Sequence, residues 1–167
     1  MLYVGRTSNF DDNLIAKKVR EESNELEILR FLDTIPLKSD HVISLIHSFN
    51  GWAILPEITN TVRECVYFGP SEGFESKIPQ VCLGLIRGVA FLHEHRIAHR
   101  EIMGGSLLVD ENYCLKITDF DNAMRVEDED EEVDDHCGSE GRIAPEVEKK
   151  LRHSPIRQTD GPVGGFF

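Results

Sequence analysis

The chain is 167 residues long, enough for one domain with a real core and short for two. Its 18 Lys and Arg stand against 30 Asp and Glu, a net charge of −12 with histidines neutral, which repels phosphates and argues against nucleic acid and anionic membrane as partners. With 40% hydrophobic and 29% charged residues, collagen-like, disulfide-scaffold and wholly disordered classes are excluded.

The cysteines (Cys65, Cys82, Cys114 and Cys137) are widely spaced and never form C-x-x-C, so reduced intracellular thiols are expected rather than a zinc site or disulfide framework. Asp11 and Asp12 follow close on the N-terminus, so no signal-peptide apolar region is expected. No apolar run approaches the roughly 20 residues of a membrane span. The expected location is the cytoplasm, with the nucleus as the alternative.

Residues 13–19 read as a short strand, with Leu14, Ala16 and Lys18 on one face and Ile15, Lys17 and Val19 on the other. A helix is predicted from about Glu21 to Leu32, with Glu25, Leu29 and Leu32 sharing a face. Val42–Phe49 and Trp52–Leu55 are predicted strands joined by Asn50-Gly51, and Pro56 ends the second. Residues 69–78 read as loop. Pro79–Glu94 forms the clearest helix, with Val81, Leu85, Val89 and Leu92 as its stripe and Cys82, Ile86 and Ala90 alongside; it is expected to be mostly buried. Leu107–Val109 and Leu115–Thr118 suggest a hairpin. Glu127–Asp135 is acidic except at Val133 and is read as a solvated loop.

In this order the segments resemble the eukaryotic protein kinase domain over nearly the whole chain, with a pattern similar to fungal kinase-like proteins. Ile15-Ala16-Lys17-Lys18 resembles the V-A-I-K strand, with Lys18 as its lysine, and Glu25 resembles the ion-pair partner on the αC helix. Trp52–Thr59 resembles the fifth strand and hinge. His99-Arg100-Glu101 stands in place of H-R-D, Ser106-Leu107-Leu108-Val109 in place of N-L-L-V, and Asp119-Phe120-Asp121 in place of D-F-G. Ala144-Pro145-Glu146 matches A-P-E in full. The resemblance implies an α+β two-lobed fold: a reduced antiparallel N-lobe over residues 1–58 and a mainly helical, C-terminally truncated C-lobe over 59–167. The catalytic loop is then 97–109 and the activation segment 119–146. It also implies that Ala16, Lys18, Glu25, the hinge residues Glu57 and Thr59, Leu108 and Asp119 face ATP, and that Asp119 and Ser106 hold Mg²⁺. Leu29, His99 and Phe120 are expected to stack between the lobes.

The departures weigh on function. Glu101 keeps the carboxylate of the catalytic aspartate but adds a methylene, and displacements of about 1 Å can cost on the order of 100-fold in rate. Met103 replaces an expected lysine, Ser106 the metal-binding asparagine, and Asp121 the glycine of D-F-G. Gly5 is the only glycine before Lys18, so no ordinary glycine-rich loop is expected. Asp160 and Gly165 resemble the start of αF, where the sequence ends, so uncovered apolar surface on the 79–94 helix and an oligomer covering it are expected. The preferred reading is a pseudokinase, a protein-binding or scaffold module with weak binding of ATP and Mg²⁺. The alternative is a working serine/threonine kinase, with Glu101 as base and Asp119 plus Ser106 on the metal, acting on a protein substrate. In a second alternative for the acidic run, its carboxylates pair with Arg100 in place of a phosphate.

Overall fold

Period-two alternation sends successive side chains of an extended segment to opposite faces, which suits residues 14–18 to a sheet covered on one side. The computed structural model describes residues 2–5, 14–67, 74–128, 130–137 and 145–159. Strands β1 (Leu2–Gly5) and β2 (Leu14–Lys18) precede helix α1 (Glu25–Thr34); β3 (His47–Phe49) and β4 (Trp52–Pro56) follow. These strands form an antiparallel sheet in the order β1-β2-β4-β3. Asn50 and Gly51 both take positive φ, 45° and 75°, the backbone a two-residue hairpin requires. Helix α1 turns Glu25, Ile28, Leu29 and Leu32 inward. It starts four residues after the predicted Glu21, where Ser23 Oγ accepts the Glu25 N–H at 2.9 Å.

The predicted strand over 42–49 shortens to β3. Residues 41–43 instead pair with a distant segment: Ile117 N donates to His41 O and Ile43 N to Ile117 O, both at 2.9 Å. After β5 (Asn60–Thr61) comes α2 (Val62–Tyr67), an element not predicted although Thr61-Val62-Arg63-Glu64 carries a capping-box pattern. Thr61 N donates to Glu64 Oε2 at 2.9 Å and Glu64 N to Thr61 Oγ1 at 3.1 Å, and these bonds hold the Glu64 carboxyl below its ordinary pKa.

Helix α3 runs from Phe74 to Glu94, so Pro79 lies inside it rather than at its start. Phe74 is buried and packs near Tyr113, which anchors the turn preceding the proline. The buried line of α3 is Val81, Gly84, Gly88 and Leu92, not the broad apolar belt predicted; Leu83 and Ile86 are 46% and 65% exposed. A Cβ on Gly88 would meet His41 O and Ile117 Cδ1 at 2.8 Å, so the glycine lets the helix lie against that backbone.

β6 (Ile97–Ala98) pairs with β9 (Met124–Arg125), and the hairpin of β7 (Leu107–Val109) and β8 (Leu115–Ile117) extends β5 into a second sheet. The short helices α4 (Pro145–Glu148) and α5 (Pro155–Thr159) complete the described chain. Ala144, Asp160 and Gly165, singled out in the sequence, lie outside the described residues. The architecture is the expected α+β one: a mainly antiparallel sheet with one helix, followed by a helix-rich part carrying the hairpin.

Candidate active site

The alternation of β2 decides which lysine enters the site. Lys17 shares a face with Ile15 and points inward. Its Nζ lies 2.8 Å from Glu25 Oε1 and 2.7 Å from Asp119 Oδ1. Lys18, on the opposite face, is exposed; its Nζ donates to Asn50 O at 3.1 Å and lies 5.6 Å from the Trp52 ring centroid. The ion pair expected of Lys18 is therefore made by Lys17. A register shift of one residue reverses every side chain of a strand. Ala16 goes with Lys18, leaving Ile15 beside Lys17 on the inward face, so Ala16 does not share the lysine's face as expected.

Glu25 is only 1% exposed and is set by the first turn of α1. Its Oε1 also accepts the Phe120 N–H at 3.3 Å. Burial pushes the Glu25 carboxyl above its ordinary pKa; Lys17 opposes this, while Asp121 and Asp119 add to it. For Lys17, burial acts to lower the pKa, but the Glu25 and Asp119 carboxylates outweigh it and raise the value. The directions are compatible because Lys17 faces two carboxylates, whereas Glu25 faces one ammonium and two further acids. The ammonium stays charged.

Asp119 sits at φ 65°, a left-handed conformation that aspartate tolerates better than most residues. Its side chain is 44% exposed, so the carboxylate is open on one side. Asp121 is not among the positive-φ residues described, so the side chain at the family's glycine position is accommodated without left-handed strain. Its Oδ2 pairs with Arg20 at 3.0 Å.

His99 and Phe120 are fully buried with ring centroids 5.0 Å apart, and Leu29 is buried in the same core as Phe120. His99 Nε2 lies 2.9 Å from Thr118 O and its Nδ1 lies 3.4 Å from Glu101 N. A neutral ring protonated on Nε2 satisfies both contacts, and burial lowers the His99 pKa accordingly.

Glu101 is half-buried, and Asn122 Nδ2 donates to its Oε2 at 2.6 Å. Arg100, at φ 62°, donates through Nε to Asn122 O at 2.7 Å and pairs with Asp135 of the acidic run. Asn122 thus ties Arg100 to Glu101, a role the sequence motif does not reveal. Ser106 is 2% exposed. Its Oγ accepts the Met103 N–H at 3.0 Å and lies within donating distance of Glu101 O and Met103 O, at 2.8 and 3.0 Å. That hydroxyl braces the loop backbone. Leu108 is half-buried on β7 between the buried Leu107 and Val109, which places it on the strand's other face. Glu57 and Thr59 lie in the link from β4 to β5, half-buried and exposed respectively.

The structure brings together Lys17, Glu25, Asp119 and Asp121, and holds Glu101 beside Asn122; Lys18 stays outside. A paired lysine beside an open aspartate can hold a polyphosphate and a hard cation, because both need charge complementarity at fixed positions. No helix among the described residues is long and apolar enough to cross a membrane.

The model for the protein kinase domain matches residues 12–159. Serine/threonine-protein kinase polo of Drosophila melanogaster is 41% identical over 70 residues, covering 42% of this chain and 12% of that protein. The phosphorylase b kinase gamma catalytic chain, liver/testis isoform, of Bos taurus is 28% identical over 138 residues, covering 80% of this chain and 33% of that protein. The chain thus spans no more than a third of these relatives. With a match across most of its length and the lysine, glutamate and aspartate assembled in one place, the chain belongs to the protein kinase domain family.

Proposed function

We propose that the chain is a pseudokinase, a kinase-fold module that binds a protein partner, retains weak affinity for ATP and transfers phosphate poorly. The observation that carries this is Ser106: at the position of the family's metal-binding asparagine, its hydroxyl is buried and engaged by the backbone of Glu101 and Met103. Met103 also leaves no cation where the family places a lysine beside the transferred group. Glu101, longer than aspartate and held by Asn122, is a poor match for a base that must meet a hydroxyl at close range.

The residues present fit a nucleotide in part. Lys17 would hold phosphate and Asp119 a Mg²⁺ ion, while the Glu57–Thr59 link and Leu108 would meet the base. Ser106 does not fit as a ligand unless the loop rearranges. Mg²⁺, when bound, supplies charge neutralisation at the phosphates. The division into an upper unit over 1–58 and a lower one over 59–167, and a cytoplasmic location, belong to the same reading.

The second reading, an active serine/threonine kinase, is favoured by the assembled Lys17–Glu25–Asp119 group. A phosphotransfer assay with radiolabelled ATP decides between them. The expected result is no incorporation by wild type above that of Lys17→Met and Asp119→Asn. Incorporation by wild type that both substitutions abolish would establish the kinase reading. Thermal unfolding with and without Mg-ATP tests nucleotide binding separately, since a ligand of the native state raises its apparent stability.

A further inference from the structure

Two buried carboxylate oxygens close to the Lys17 group have no hydrogen-bond partner: Glu25 Oε2 and Asp121 Oδ1. Glu25 is 1% exposed and the Asp121 side chain 12% exposed. Their other oxygens are occupied, Glu25 Oε1 by Lys17 and the Phe120 N–H, and Asp121 Oδ2 by Arg20. One carboxylate oxygen from each of Glu25, Asp119 and Asp121 lies within 4.8 Å of the other two. An ionised oxygen removed from water and given no donor is costly, and like charges nearby add to the cost. Three carboxylates face two cations here, and the lysine is already shared between Glu25 and Asp119.

We propose that Glu25, Asp119 and Asp121 form a divalent-cation site that fills without nucleotide. Oxygen-only ligands of this kind select hard ions such as Mg²⁺ or Mn²⁺. The buried Glu25 is the floor of the site, and the 44%-exposed Asp119 is its mouth. Asp121 makes the site particular to this chain, because the family's glycine at that position offers no side chain. An ion there would give these carboxylates the positive partner that Lys17 and Arg20 supply only in part, and would tie helix α1 to the segment following β8. The site does not depend on the pseudokinase reading, since neither ATP nor phosphotransfer enters it.

The test uses the whole chain and Mn²⁺ alone, followed by the loss of the free-ion electron paramagnetic resonance signal. Wild type is expected to bind Mn²⁺ saturably without nucleotide. Asp121→Asn, which keeps the side-chain shape, is expected to lose at least about tenfold in affinity. Asp128→Asn, in the acidic run, is expected to bind like wild type. Circular dichroism checks that each variant folds, and Asp119→Asn provides a second variant with the same expected loss. Absence of saturable binding by wild type, or equal affinity in wild type and the folded Asp121 or Asp119 variants, overturns the site. Mg-ATP binding is read independently by thermal unfolding, so failure of one conclusion does not imply failure of the other.

Discussion

Lys17 and Asp119, 102 positions apart, meet with Nζ 2.7 Å from Oδ1, and that contact joins β2 to the segment following β8. Because the same ammonium also reaches Glu25 on α1, one side chain ties three separate pieces of the fold to a common point. The geometry is held from behind by apolar packing: Ile28, Leu29 and Phe120 are all essentially buried. The functional charge group and the core therefore share their supports, and disturbing one is expected to disturb the other.

Replacing Lys17 removes the counterion of a carboxylate that is 1% exposed. Lys17→Met is expected to cost about 2 kcal/mol, below the usual cost of unpairing a buried charge because Glu25 can take up a proton instead. Lys18→Met, on the exposed face, is expected to change stability by less than about 0.5 kcal/mol. Urea denaturation of both variants measures the difference; equal losses would contradict the assignment of Lys17 as the inward lysine.

The order of the segments, the core faces of α1 and the partner residues Glu25 and Asp119 were legible in the sequence because spacing along helices and short motifs carries them. The lysine was not. With two adjacent lysines, placing Ala16 at the motif's alanine selects Lys18, but sheet packing follows the face that also carries Ile15 and the buried Val19. Asn122 is not legible in the sequence because its bond to Glu101 depends on how two loops meet, which no local pattern encodes. The inward line of α3 differs from the hydrophobic stripe for a related reason. Hydrophobicity alone places Ile86 with the core, whereas close approach of His41 to Gly84 and Gly88 turns a smaller surface inward.

That close approach gives a second prediction. A methyl group on Gly88 would meet backbone His41 O and Ile117 Cδ1 at 2.8 Å, and the carbonyl cannot move without disturbing its bond from Ile117 N. Gly88→Ala is expected to destabilise by about 1–3 kcal/mol despite the better helix propensity of alanine. Ile86→Ala, at a position 65% exposed, is expected to be nearly neutral. Chemical denaturation midpoints compare them directly. A stabilised Gly88→Ala would mean that the helix does not press against residue 41.

The acidic run is expected to be tethered rather than free. Arg100, whose side chain is 8% exposed, pairs with Asp135 and also donates to Asn122 O. Asp135 is 47% exposed, so the pair contributes no more than about 1 kcal/mol. Asp135→Asn is expected to raise the rate of limited proteolysis within residues 126–136 by a few-fold, and Arg100→Glu by more, since it also removes the Asn122 contact. Mass spectrometry of early fragments locates the cuts. Unchanged cleavage in both variants would show that the segment gains no order from Arg100.

His99 sets a pH dependence whose sign follows from burial. Its folded-state pKa lies below the ordinary 6.5, because burial disfavours the charged ring and outweighs the bond to Thr118 O, which acts to raise the value. The unfolded chain therefore binds more protons near pH 6.5 than the native state does, and stability falls as pH drops through 6.5 toward the depressed native value. The slope attributable to this one group is at most about 1.4 kcal/mol per pH unit. His99→Phe keeps a ring against Phe120 but cannot titrate. It is expected to be less stable at pH 8, where Thr118 O loses its donor, and to lose less on acidification to pH 5.5 than wild type does. Urea unfolding of both proteins at the two pH values gives the comparison. Parallel losses would mean that His99 takes up no proton on unfolding and that the acid sensitivity arises at other groups.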